Sequence, residues 1–404
     1  MINYLTTKQR FTVIAIFFMN VVSRLSLYLY LPAMPHMSND LAASEVQIQA
    51  TFLMYLLGLN IAQPYLIYVL NKGKDNKNIF LCLSALAVAS SFLLLSETNI
   101  YAFIVLRFLQ GLGCSFIPVI ALGYLQQNFD KNAFSAMLSI NYGMESIVAI
   151  IAPVLGAYIF HFFGWQAIFV CLFGLTTLIF MAILFVFEEN MKVFSPLPHF
   201  KLMYIYIKRP VFVYCLLSIV ISSAIVLVFE LNSSFILQNY FKLSSIQYSH
   251  ALMLFTGFLL VGSLINDKIV ERKGILPMYR IGNYALFVGI SCLLAFSMLS
   301  TSLLIGTMLP TFCFLTGIAI FYPNVTEIAI ANSSQHASVL MFYSAVLRIF
   351  IQIPLVYLAT ALSLKSPQSL SIALFVLMLF MLIFFLLLNR KNPGKHLAHA
   401  EITA

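Results

Sequence analysis

Long apolar runs alternate along this chain with short polar gaps, and almost every charge sits in the gaps. The runs cover approximately 11–33, 48–70, 79–96, 102–125, 135–160, 166–187, 211–236, 248–270, 275–298, 302–322, 337–363 and 368–389. A bilayer core is spanned by a helix of roughly 20 apolar residues. The pattern therefore predicts an all-α integral membrane protein of twelve transmembrane helices. Barrel strands alternate in polarity over about 10 residues, and these runs are too long and too uniform for that.

Composition agrees. The chain is 62% hydrophobic and 9% charged, against about 25% charged in soluble proteins. Met1 is followed by Lys8 and Arg10 and then by no small-residue cleavage site, so the first helix reads as a retained anchor. Lys and Arg are strongly biased between alternate gaps. One set holds Lys72, Lys74 and Lys77; Lys131; Lys192, Lys201, Lys208 and Arg209; Lys268, Arg272 and Lys273; and Arg390, Lys391 and Lys395. The other holds Lys242 and Lys365. Basic loops stay in the cytoplasm, which predicts both termini there in a multi-pass protein of the bacterial inner membrane. The net charge of +9 then comes from membrane-edge residues, and nucleic acid is excluded as a partner. The lipid bilayer is the expected one. The six cysteines lie inside predicted helices with no CxxC pair and read as small hydrophobes.

A polar, proline-containing stretch separates two sets of six helices. The expected organisation is 1–189 as a first six-helix half, 190–210 as a cytoplasmic linker, 211–389 as a second half and 390–404 as a cytoplasmic tail. Asn71–Asn78 (NKGKDNKN) and Asn266–Gly274 (NDKIVERKG) echo each other at the same place in each half. Paired halves around a midplane site are an architecture of secondary transporters.

Several stretches carry a family resemblance. They are YLPAMPHMSNDL at Tyr30–Leu41, YLLGLNIAQ at Tyr55–Gln63, LRFLQGLGCS at Leu106–Ser115, APVLGAYIFHFFGWQAIF at Ala152–Phe169 and GIAIFYPNVTEIAI at Gly317–Ile330, the last read as following helix ten. In this order the chain resembles the major facilitator superfamily, and within it the Bcr/CflA-type drug–proton antiporters. Arg107, Gln110, Gly111 and Gly113 match the helix-four motif, and Pro153 and Gly156 match the antiporter motif of helix five. The resemblance implies a proton-driven exporter with no bound cofactor, functional as a monomer. It also implies gating roles for Pro153 and Gly156, for the loop at Asn71 and Lys72, and for Asp267 and Lys268 in the second half. Departures are specific: Asn71 stands at the loop motif's aspartate, Tyr28 where helix one often has an acid, and Gln166 where an arginine is common.

Five ionisable residues fall inside predicted helices: Arg24, Arg107, Glu145, Glu230 and Arg348. Unpaired, each costs at least about 2.5–3.5 kcal/mol at the bilayer centre, so they must pair or line a wet cavity. Arg107 is read as coupling proton movement to substrate, against a structural arginine bonded to carbonyls. Glu145 and Glu230 are read as proton carriers, against static salt-bridge partners. Arg348 is a weaker substrate candidate, against pairing with Glu145. Helices one, four, seven and ten line the family's central cavity, which implies Arg24, Arg107 and Glu230 around one chamber. Tyr28, Tyr30, Asn141, Tyr142, Asn232, Phe235, Asn324 and Tyr343 are further substrate-binding candidates, against a plain packing or lipid-facing role.

Arginine forks match carboxylates. With Arg24 one turn before Tyr28, an alternative is a carrier for an anionic metabolite or carboxylate siderophore, in either direction. A membrane enzyme or sensor is the remote alternative, because the sequence has no HExxH, GxSxG, P-loop or clustered His/Cys set.

Overall fold

The computed structural model describes residues 7–70, 77–129, 131–187, 200–299, 304–332, 337–362 and 366–391. Among them the regular structure is entirely helical. Eleven stretches are long and apolar enough to cross a membrane, and Lys77–Leu93 is a shorter apolar helix. Outward faces carry Phe163 at 76%, Phe185 at 73% and Leu362 at 81% exposure. Apolar faces of this extent are unusual on a water-soluble monomer and suit lipid.

The chain divides into two compact units. The first is Met1–Leu197 together with Ser245–Ser249, and the second is Pro198–Ser244 with His250–Ala404. In the first lie α1 (Thr7–Tyr28), α2 (Met34–Asp40), α3 (Glu45–Ile61), α4 (Gln63–Leu70), α5 (Lys77–Leu93), α6 (Ile100–Cys114), α7 (Phe116–Asn128), α8 (Lys131–Phe163) and α9 (Trp165–Val186). Helix α6 packs on α3 and α5, α5 on α9, and α1 on α7, α8 and α9. Close approach explains the glycines of the helix-four motif. A Cβ on Gly111 would strike the Tyr55 backbone, and one on Gly58 the Phe108 carbonyl, so α3 and α6 touch backbone to backbone.

The second unit holds α10 (Phe200–Ile207), α11 (Pro210–Phe235), α12 (Ser245–Lys273, whose first residues group with the other unit), α13 (Ile275–Leu299), α14 (Leu304–Asn332), α15 (Ala337–Leu347), α16 (Ile353–Leu362) and α17 (Pro367–Arg390). Helix α11 packs on α14, α16 and α17, and α13 on α14 and α17. Wide π-helical turns follow α11 at Ile236–Tyr240 and join α15 to α16 at Arg348–Gln352.

The structure corrects several predicted boundaries. The first run is not one helix to residue 33. Pro32 and Pro35 lack amide donors, so α1 ends at Tyr28 and the chain restarts as a short 3₁₀ turn, Leu31–Ala33, and then α2. The fourth run breaks at Ser115, because Pro118 leaves the Cys114 carbonyl without its helical donor and the turn tightens, Ser115 N bonding Leu112 O at 3.2 Å. Conversely, Gly317–Ile330 does not follow a helix but lies within α14, despite Pro310 and Pro323. Side chains help hold that turn: Asn324 Nδ2 donates to Ile320 O at 2.6 Å and Thr326 Oγ1 to Tyr322 O at 2.8 Å. The stretch read as a linker contains α10. Of the six cysteines, Cys114 and Cys215 are buried, whereas Cys82, Cys171 and Cys292 are exposed on apolar helices.

Candidate functional site

Arg107 is wholly buried on α6. Its Nη1 donates to Gln110 Oε1 at 2.5 Å and its Nη2 to the Ser26 carbonyl on α1 at 2.8 Å. The Cζ lies 4.6 Å from the ring centres of both Tyr30 and Tyr55. No carboxylate joins it among the described residues. The charge is met instead by one carbonyl, one amide oxygen and two π faces, each ring worth about 0.5–2 kcal/mol. The polar line continues from Gln110 Nε2 to Ser91 Oγ at 2.7 Å and on to Thr176 Oγ1 at 3.2 Å. It thus ties α1, α3, α5, α6 and α9 together. Tyr30 is itself fully buried, with its hydroxyl 3.1 Å from Thr51 Oγ1.

A second charged cluster joins α1 to α8. Arg24 donates from Nε at 2.9 Å and from Nη2 at 2.5 Å to Glu145 Oε2. Asn141, one turn earlier on α8, donates to the other oxygen, Oε1, at 2.9 Å. The Arg24 side chain is 41% exposed and that of Glu145 14%. Glu145 therefore has Arg24 as its ion-pair partner. The partial exposure of Arg24 follows from its place on α1 four residues before Tyr28, which is half-buried and edge-on to Phe52 with ring centres 6.4 Å apart. The side chain of Tyr142 and both Asn71 and Lys72 lie outside the described residues. Gly156 sits where α8 crosses the end of α1, and a Cβ there would strike the Leu29 carbonyl. Pro153 lies one turn before it, inside α8.

In the second unit, Glu230, Asn232 and Phe235 are buried together on α11. A small cavity along α11 is lined by Phe229, Ser233, Leu237, Phe255, Thr311 and neighbouring residues, and by none of these three. Asn324 on α14 donates to Asn266 Oδ1 on α12 at 2.6 Å. Asp267 and Lys268 follow Asn266 on the exposed face of α12. Tyr343 packs edge-on to Phe212, ring centres 6.0 Å apart. Arg348 opens the π-helical turn, half-buried, and Gln352 at the end of that turn donates to Ser223 Oγ on α11 at 3.0 Å.

The structure thus gathers Arg24, Glu145 and Asn141 in one cluster and Arg107 with Tyr30 in another. Sequence reasoning missed Tyr55, Ser91 and Thr176 as partners in the arginine network. Their signal is a polar or hydroxylated residue in an otherwise apolar run, and it carries no hint of which helix it faces. It also missed the contact of Trp165 Nε1 with Asp40 Oδ2, 2.8 Å long.

Comparison with known proteins adds the family. The family description "Major Facilitator Superfamily" matches residues 16–351. A protein named "Multidrug resistance protein MdtL" from Escherichia fergusonii is 32% identical over 162 residues, 40% of this chain and 41% of that protein. Proteins of the same name from Escherichia coli match to the same extent. The match thus spans about two fifths of the length of these relatives. Among solved structures, a bacterial homologue of the human lysosomal transporter Spinster gives a TM-score of 0.73 at 11% identity, covering 96% of this chain and 98% of that one. The D-xylose–proton symporter gives 0.69 at 12% identity, covering 92% and 97%. Likeness at that identity shows the fold alone, while the family match runs through both arginine clusters and both units. The chain belongs to the Major Facilitator Superfamily.

Proposed function

We propose that the protein is a secondary active transporter, with twelve spans and both termini in the cytoplasm, that exports small drug-like or siderophore-like molecules across the bacterial inner membrane by alternating access. The proton gradient drives it, no cofactor is bound, and one chain suffices. The observation that carries this reading is the Arg24–Glu145 pair held between two apolar helices. Such an acid can exchange its partner for a proton as the surroundings change. Family membership supports the transporter reading, and the name of the multidrug resistance relatives supports the export direction. In this reading Arg107, Glu145 and Glu230 serve coupling, and Pro153, Gly156, Asp267 and Lys268 serve gating.

The test is transport into inside-out vesicles under an imposed proton gradient, comparing a lipophilic cationic dye with a polycarboxylate siderophore. Accumulation of either, abolished by collapsing the gradient, is the expected outcome. Accumulation that ignores the gradient sinks the coupling. Glu145→Gln and Glu230→Gln are expected to weaken gradient-driven transport, and full activity in both variants removes these acids from the coupling role.

A second reading has its own observation. Arg24 is 41% exposed, and Tyr28 replaces an acid one turn away, so the first helix offers a cation. This favours a dedicated carrier for an anionic metabolite or carboxylate siderophore. Arg24→Ala is then expected to lose carboxylate transport, and unchanged carboxylate transport refutes it.

A further inference from the structure

Both oxygens of Glu145 are engaged: Oε2 by two nitrogens of Arg24, and Oε1 by Asn141. A guanidinium binds a free carboxylate ligand through the same charge-assisted N–H···O contacts. Glu145 therefore offers Arg24, from inside the protein, the chemistry that an anionic substrate offers from outside. The two partners differ in access, because the arginine side chain is 41% exposed and the glutamate 14%. The arginine is therefore the more accessible partner of the pair.

The geometry points to Glu145 as a built-in stand-in for the carboxylate of an anionic substrate: ligand and side chain occupy the Arg24 guanidinium in turn, and displaced Glu145 takes up a proton. This rests on the anion-carrier reading above. The balance is simple. A substrate carboxylate replaces the Glu145 carboxylate on Arg24, and one proton released by the buffer acid forms an O–H bond at Glu145 Oε2. The one negative charge of the arriving carboxylate is offset by that proton, and any further carboxylates of the ligand keep their own charge outside the pair. Without the proton, an anion would be left between apolar helices, with Asn141 its remaining donor among the described residues.

Among the described residues, the helices packed most closely against α8 bring no second cation beside Glu145. Helix α1 contributes Arg24, with Tyr28 one turn on and Lys8 and Arg10 at least fourteen residues before it. Helices α7 and α9 contain no Asp, Glu, Lys, Arg or His, only Tyr124 and Cys171 as titratable groups, and the turn Leu31–Ala33 contains none. On α8 itself Lys131 and His161 stand near its ends, and Tyr142 and Tyr158 are its remaining titratable residues.

The experiment is isothermal titration of the full chain in detergent with citrate as probe, above the last ionisation of citrate. Two buffers of different ionisation enthalpy give the number of protons taken up per citrate bound. Wild type is expected to bind citrate with uptake of about one proton. Removing a tethered competitor, Glu145→Gln is expected to bind it about ten-fold tighter or more, without uptake. Glu145→Asp, its carboxylate drawn back by one methylene, is expected to fall between them, and Arg24→Gln to bind none. Citrate bound by Glu145→Gln no more tightly than by wild type overturns the proposal, and so does proton uptake that persists without Glu145. Binding by neither protein overturns it too, even if dye export in vesicles is intact. Failure of all gradient-driven transport with these binding results in place would instead sink the transport reading and leave the displacement standing.

Discussion

The Cζ of Arg107 on α6 lies 4.6 Å from the centre of the Tyr55 ring on α3. Tyr55 is held in turn by its hydroxyl, which donates to the Ser23 carbonyl of α1 at 3.2 Å. Arginine, tyrosine and the α1 backbone therefore form one buried node. Its charge has no carboxylate partner among the described residues, and a buried cation satisfied by dipoles and π faces cannot be removed without stranding its acceptors.

Arg107→Met is expected to leave Gln110 Oε1 and the Ser26 carbonyl without this donor and to cost about 3 kcal/mol or more in stability, at about 1–3 kcal/mol per stranded group. Tyr55→Leu removes one ring face and is expected to cost less, about 1–2 kcal/mol beyond the change in packing. Thermal unfolding of the purified protein in detergent measures both. Equal losses in the two variants would show that the node depends on the tyrosine packing and not on the charge.

Gly111 and Gly174 are both helical glycines with opposite surroundings. A Cβ on Gly111 meets the Tyr55 backbone, whereas one on Gly174 meets nothing within 4 Å. Gly111→Ala is expected to force α3 from α6 and sharply reduce the yield of folded protein. Gly174→Ala is expected to be neutral or stabilising by up to about 1 kcal/mol, from helix propensity. Monodisperse yield on gel filtration distinguishes them.

These cases show what was legible in the residue pattern. Apolar runs of bilayer length announce membrane helices, because the solvent imposes both composition and length. Boundaries were legible less well, because Pro32 ends α1 locally while Pro323 is absorbed inside α14, where Asn324 bonds back to Ile320 O. The buried charges were legible individually, but their partners were not. Arg24 and Glu145 lie 121 residues apart, and Arg107 and Ser26 lie 81 apart. Periodicity reports which way a residue faces on its own helix and nothing about which helix it meets. Which arginine would pair with Glu145 was accordingly left open by the residue pattern.

Trp165 is the single tryptophan of the chain, and its indole N–H donates to Asp40 Oδ2 at 2.8 Å at the start of α9. Asp40→Ala leaves a nearly buried donor unmet, a loss of about 1–3 kcal/mol. The fluorescence emission maximum is expected to shift in Asp40→Ala and to move less in Asp40→Asn, which keeps an acceptor oxygen. An unmoved spectrum in Asp40→Ala would show that the contact does not form in solution.

In the second unit, Asn324 Nδ2 donates both to Asn266 Oδ1 and to Ile320 O, each at 2.6 Å. The pair is asymmetric. Asn266→Ala leaves Asn324 its backbone acceptor, whereas Asn324→Ala removes the donor to Asn266. Asn324→Ala is therefore expected to be the more damaging substitution, by about 1 kcal/mol. Thermal unfolding of the two single variants checks the order, and the reverse order would contradict the assigned direction of the hydrogen bond.

The Arg24–Glu145 pair yields a stability test that is independent of transport. Glu145 is the more buried partner, at 14% against 41%. Arg24→Met strands a carboxylate between apolar helices, with Asn141 as its remaining donor among the described residues. Glu145→Met removes the carboxylate from the more exposed Arg24. The first is expected to cost about 1–3 kcal/mol, below the range for a fully buried pair because of screening, and the second clearly less. Replacing both by methionine removes the desolvation cost together with the attraction, so the double variant is expected near wild type. Unfolding midpoints of the three variants and wild type complete a double-mutant cycle, whose coupling energy measures the pair directly. Additive losses would mean that the two side chains do not interact. A cost larger for Glu145→Met than for Arg24→Met would mean that Arg24, not Glu145, is the charge that depends on its partner.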